Sequence, residues 1–150
     1  MENVKNVVKK MRGNLKSTLD DKGRMSVPAK FRDTLRGDLV IARHVDKDRD
    51  VICLKIYTED AWEKFDEKLS NIPQAETAKV IRSIDSQDVE MDKQYRILIP
   101  QSLRNYAKLE GELIVIGGGY TAEIWNKEEF DRLDTDNMED TADILEKHGI

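Results

Sequence analysis

Leu19-Asp20-Asp21-Lys22-Gly23-Arg24-Met25-Ser26-Val27-Pro28-Ala29-Lys30-Phe31-Arg32 returns later in the chain as Met91-Asp92-Lys93-Gln94-Tyr95-Arg96-Ile97-Leu98-Ile99-Pro100-Gln101-Ser102-Leu103-Arg104. The offset is 72 residues with no gap; the Asp, the Arg, the Pro and the final Arg are identical, and the apolar positions match in kind. The match resumes after a small slip, Gly37-Asp38-Leu39-Val40-Ile41 on Gly111-Glu112-Leu113-Ile114-Val115. A second slip brings Ile56-Tyr57-Thr58 onto Ile124-Trp125-Asn126, and Trp62 onto Phe130. Four matches in one order are an internal duplication, and a duplicated unit buries its apolar face against its own copy. Each β-rich half has only ~45 residues, too few for a stable core alone. The two are therefore expected to share one core about a pseudo-two-fold axis.

Each half reads alike. An acidic turn, in which Gly23 can supply a positive φ, leads into the alternating strand Arg24-Met25-Ser26-Val27. Pro28 fits the first turn of a helix expected over 29–35. Leu39–Arg43 and Val51–Tyr57 read as further strands. Thr58 is a candidate N-cap for a helix that places Trp62, Phe65 and Leu69 on one face. In the second half Asn126 and Glu129 form a capping-box-like pair, with Phe130 and Leu133 inward. Ala75–Ile84 reads as a linking helix with Ala78, Ile81 and Ile84 on its inner side, and a last helix is expected over 138–147. The divisions expected are an extension over 1–11, a first repeat over 14–61, linking helices over 62–85, a second repeat over 86–129 and an acidic C-terminal helix over 130–150. The fold class is α+β.

The chain has 150 residues, 39% hydrophobic and 37% charged, which is one domain with a thin core. No apolar run approaches the ~20 residues of a membrane helix, and no secretory signal is read at the N-terminus. A single cysteine, Cys53, fits a reducing compartment, so a cytoplasmic location is expected. The net charge is −5, but its distribution is uneven. Residues 1–36 hold ten basic and four acidic side chains, for a charge of +6; residues 127–150 hold three and nine, for −6. That polarity points to a basic surface for a polyanion and an acidic face elsewhere.

Other chemistry finds little support. Asp46-x-Asp48-x-Asp50 begins like a calcium loop, but Val51 stands where glycine is needed and Tyr57 where the bidentate glutamate belongs. Gly117-Gly118-Gly119 lacks the Gly-Lys-Ser/Thr of a phosphate loop and reads as a hairpin turn. Cys53 in an apolar strand reads as a core residue, and His44 has no serine or cysteine that spacing nominates as a partner. With two histidines, zinc or iron chemistry is poorly supplied with ligands. No catalytic site, cofactor or metal is expected.

The duplicated stretch resembles the signature of the MraZ family, bacterial transcriptional regulators with an AbrB-like swapped-hairpin β-barrel. The resemblance covers about residues 12–150, both copies included. It implies two swapped-hairpin halves in one domain. It also implies a closed homo-oligomeric ring on double-stranded promoter DNA, bound through short direct repeats upstream of the division and cell-wall gene cluster. The protein would then be nucleoid-associated. The family's Asp-x-x-x-Arg positions fall on Asp20 and Arg24 and again on Asp92 and Arg96. Two departures stand out: residues 1–10 precede the usual start of the family, and Tyr95 stands where the family favours glycine. A tyrosine turn must avoid the left-handed region or tolerate strain.

Arg24 is the leading base reader, since an arginine at a β-turn can bond a guanine edge with two hydrogen bonds. An Asp20–Arg24 ion pair bracing the hairpin is the structural alternative, and the two roles are compatible. Lys22, Lys30 and Arg32 are expected at phosphates, Arg96 at DNA or in a structural role, and Arg104 as structural or peripheral. Competing readings are an AbrB/antitoxin-type dimer, a ring scaffold with no DNA role, and an enzyme, for which the sequence nominates no site.

Overall fold

In the computed structural model, residues 9–134 and 137–150 are described. The extension expected over 1–11 lies mostly outside them. The first repeat contributes β1 (Met11–Thr18), β2 (Arg24–Ser26), β3 (Asp38–Arg43), β4 (Leu54–Thr58) and α1 (Glu59–Leu69). After α2 (Gln74–Ile84) the second contributes β5 (Gln87–Glu90), β6 (Arg96–Leu98), α3 (Gln101–Tyr106), β7 (Glu112–Gly119), β8 (Thr121–Asn126), α4 (Lys127–Asp134) and α5 (Asn137–Lys147).

The strand order makes the duplication visible as symmetry. The main sheet runs β1-β7-β8-β4-β3-β5. Exchanging each strand for its counterpart in the other repeat turns this order into its own reverse, so a pseudo-two-fold axis passes between β4 and β8. Edge strands are traded between repeats: β1 pairs with β7, and β5 with β3, both antiparallel. A second ribbon pairs β2 with β6, with Met25 opposite Ile97. Bridges from Leu19 to Met25 and from Met91 to Ile97 join this ribbon to both edges of the main sheet. The eight strands therefore close on themselves around one core containing Met25, Phe31, Leu39, Ile56, Ile97, Leu103 and Leu113. Closure leaves few open edges for unwanted pairing.

Local chemistry explains most elements. The Thr58 side chain accepts from the Ala61 N–H at the start of α1, and Asn126 Oδ1 accepts from the N–H groups of Glu128 and Glu129 at the start of α4. Trp62 and Phe65 stack on Tyr57 of β4, while Phe130 meets Trp125 edge-on at the equivalent place. α1 and α4 run across the 61/62 and 129/130 divisions expected from sequence.

Three local expectations are corrected and a fourth is extended. The helix expected over 29–35 is only a 3-10 turn, Ala29–Phe31, where the Thr34 hydroxyl donates to the Lys9 carbonyl; its counterpart α3 is a true α-helix. Val51–Cys53 lies outside β4, which starts at Leu54. Ile81 points outward, and Val80 and Ile84 take the inner face of α2, where the Thr77 hydroxyl donates to the Leu69 carbonyl. Gly117–Gly119 leads into the β7–β8 hairpin, as expected, but is also the end of β7 and pairs with Met11–Gly13. A Cβ on Gly117 would stand 2.5 Å from the Arg12 backbone nitrogen, so this close strand approach demands glycine. No helix among the described residues is long and apolar enough to cross a membrane.

Candidate nucleic-acid interface

The β2–β6 ribbon alternates in burial. Met25 and Ile97 are sealed in the core, which turns Arg24, Ser26, Arg96 and Leu98 to the outer face. Each strand is preceded by its acidic turn, and the two turns have the same wiring. Asp20 Oδ1 accepts from the N–H groups of Lys22 and Arg24, at 2.9 Å each, while Oδ2 accepts from Arg24 Nε at 2.8 Å. Asp92 Oδ1 accepts from the N–H groups of Gln94 (2.8 Å) and Arg96 (2.9 Å), and Oδ2 from Arg96 Nε at 3.1 Å. Each turn is also closed through the backbone: Asp20 with Arg24, Gly23 with Asp20, and the same pairs 72 residues later. This is why the motif needs a short carboxylate four residues before the arginine. The carboxylate fixes the turn with one oxygen and the guanidinium with the other.

The turns also lock each other. The Val27 N–H donates to the Tyr95 carbonyl and the Ile99 N–H to the Gly23 carbonyl. Arg96 Nη1 lies 3.9 Å from Asp20 Oδ2, so the two ion pairs adjoin across the axis. The carboxyl groups of Asp20 and Asp92 are held below their ordinary value, first by the backbone N–H of Arg24 and of Arg96 respectively. Both remain charged acceptors at neutral pH. Arg24 and Arg96 are about equally exposed, 29% and 27% at the side chain, and each uses its Nε inward.

Gly23 and Tyr95 occupy the same turn position with φ of 85° and 62°. Tyr95 therefore takes the left-handed conformation and tolerates its strain. It is met by Arg32, whose guanidinium carbon stands 4.3 Å from the ring centroid and whose Nε donates to the Val27 carbonyl at 3.1 Å. On the other turn, Arg104 lies against Gly23 so closely that a Cβ there would be 2.3 Å from its Nη1. The paired arginines 32 and 104 thus brace the turn of the opposite repeat.

The remaining residues named from sequence are spread out. Lys22 is exposed at the tip of the first turn. Lys30 lines a depression with Lys9, Lys10 and Arg12, and none of the turn residues lines it. The sequence reading missed Leu98, 58% exposed between the buried Ile97 and Ile99, and missed Tyr95 as a surface aromatic. Strand alternation next to two core residues is the signal that places Leu98 outside. It also missed the direct apposition of the two ion pairs.

Asp46 and Asp48 spend carboxylate oxygens on their own loop: Asp46 accepts from the Asp48 N–H and Asp48 from the Asp50 N–H. Burial, then the charges of Glu123 and Asp46, push the Cys53 thiol up, so the free side chain is a thiol and not a nucleophilic thiolate.

The family described as "MraZ protein, putative antitoxin-like" matches residues 11–81 and again 84–147. A protein of Lachnoclostridium phytofermentans named "Transcriptional regulator MraZ" is 36% identical over 92% of this chain and 96% of its own. Proteins of the same name from Desulforamulus reducens and Thermomicrobium roseum are 38% and 39% identical, over 80% and 77% of this chain and 84% and 81% of theirs.

Proposed function

The chain belongs to the MraZ family, and from that premise we propose that it is a DNA-binding transcriptional regulator, not an enzyme, that reads promoter DNA through its two apposed Asp–Arg turns. The observation that carries this reading is the outer face of the β2–β6 ribbon. It holds two partly exposed arginines, each fixed by a carboxylate at Nε, with Arg96 Nη1 near the Asp20 carboxylate of the other turn. An oriented guanidinium is the group best suited to a guanine edge. Leu98, the exposed cross-strand partner of Arg24, offers an apolar contact of the kind a thymine methyl takes. Lys22 at the tip, and Lys9, Lys10, Arg12 and Lys30 around a separate depression, are the side chains available for phosphate contacts. Arg32 adds charge at the second turn while bracing Tyr95. The cytoplasm and nucleoid are the compartments this role implies.

One pair of turns gives weak affinity. Several pairs joined in a closed ring, set on direct repeats upstream of the division and cell-wall genes, gain through effective concentration by a factor of ~100 or more. The exposure of Met138, Ile144 and Leu145 on α5 supports assembly, since a lone chain leaves that face in water. The acidic residues of the same helix, Glu139, Asp140, Asp143 and Glu146, favour a position away from DNA.

Light scattering after size exclusion, joined to binding of the DNA upstream of this protein's own gene at two salt concentrations, tests the reading. A mass of many subunits, preference over scrambled DNA and loss of affinity with salt are expected. A dimer favours the antitoxin-type module. A ring indifferent to DNA favours a scaffold.

A further inference from the structure

Far from the turns, the fold gathers three metal-ligating side chains of different chemistry. His44 follows β3, Cys53 precedes β4, and Glu123 comes from β8 of the other repeat. One ligand atom from each lies within 4.8 Å of the other two. We propose that His44, Cys53 and Glu123 form a binding site for a zinc-class divalent cation.

The proposal rests on the donor set, its spacing and its surroundings. The donor set is one imidazole nitrogen, one sulfur and one carboxylate oxygen, the mixture zinc takes and that calcium and magnesium do not. Tetrahedral zinc bonds of about 2.0–2.3 Å space the donors by roughly 3.3–3.8 Å, so small rotamer changes within the observed 4.8 Å are sufficient. Asp46 Oδ2 lies 3.7 Å from His44 Nε2. Trp125 Nε1 donates to Glu123 Oε1 at 2.9 Å, which leaves Oε2 for a cation and orients the carboxylate as outer-shell partners of metal ligands do. Of the three ligands, His44 lines a groove between α2 and the β3–β4 hairpin, while Cys53 is fully buried.

No spacing announces this cluster, because only two histidines and one cysteine are present and they stand nine residues apart at the nearest. The swapped topology supplies the third ligand. Cys53 and Glu123 lie across the β4–β8 seam, so the cation would pin one repeat to the other at the pseudo-two-fold axis.

Cobalt(II) tests this directly, because Cys53 is the only cysteine and any thiolate-to-cobalt absorption must come from it. The full chain, freed of metal by a chelator, should bind one cobalt ion with a near-ultraviolet charge-transfer band that zinc abolishes by displacement. Zinc should raise the thermal midpoint. Cys53→Ser should lose the band. His44→Ala and Glu123→Gln, both partly exposed positions, should weaken cobalt affinity about 10- to 100-fold while keeping the apo protein's circular dichroism. Cobalt binding without the charge-transfer band, or affinity unchanged in Glu123→Gln and His44→Ala, would overturn the site and leave the ion on surface carboxylates.

Discussion

At the scale of single residues, the motif Asp-x-x-x-Arg is a device for holding a turn and a guanidinium with one carboxylate. Its pH dependence follows. The Asp20 and Asp92 carboxyls sit below their ordinary value of 3.8 in the folded chain. A group depressed by folding stabilises above its unfolded value, and that stability is lost as pH falls through the folded value. The thermal midpoint should therefore drop on acidification below about pH 4. Calorimetry on Asp20→Asn/Asp92→Asn should give a lower midpoint at neutral pH and a shallower fall in acid; an unchanged profile contradicts the turn's electrostatics. Position 23/95 gives a second prediction. Gly23→Ala must hold a Cβ at positive φ and displace Arg104, so a loss of about 1–2 kcal/mol is expected in urea unfolding. Tyr95→Gly relieves similar strain but loses the Arg32 stack, worth about 0.5–1 kcal/mol at exposed sites, so the net change should stay under about 1 kcal/mol. Equal losses at both positions would show that the two turns are not alternative solutions to one problem.

At the scale of elements, local signals were legible wherever a side chain acts on its own backbone. Thr58 and Asn126 cap their helices as their positions announced, and Trp62, Phe65 and Leu69 face inward. Thr58→Ala should cost about 1 kcal/mol in the same assay. Legibility failed where packing from another element decides. The phase of α2 is set by a hydroxyl bond from Thr77 to Leu69, so Val80 displaced Ile81 from the expected face. The three glycines 117–119 enter the expected hairpin, but nothing local says that β1 pairs closely alongside them. Gly117→Ala tests that account: a Cβ pressed on the β1 backbone should destabilise by about 1–3 kcal/mol, and a neutral result would mean the strands separate freely.

At the scale of the whole molecule, the duplication foretold one joint core and the pseudo-two-fold axis, since neither half buries enough alone. The family resemblance implied swapped hairpins, but the pairing that realises them, β1 with β7 and β5 with β3, comes from the structure, because no local pattern says which copy a strand joins. The same exchange explains what the site reading lacked. Two turns 72 residues apart were weighed separately, yet they adjoin as one surface with Arg96 Nη1 3.9 Å from Asp20. The central claim is that this surface reads sequence through Arg24. Fluorescence anisotropy should compare wild type and Arg24→Ala on the protein's own upstream DNA and on scrambled DNA, at matched assembled mass. Loss of the preference, with residual salt-dependent binding to both DNAs, is the expected result. A variant that keeps wild-type preference would contradict the claim and leave Arg24 as a brace for its turn.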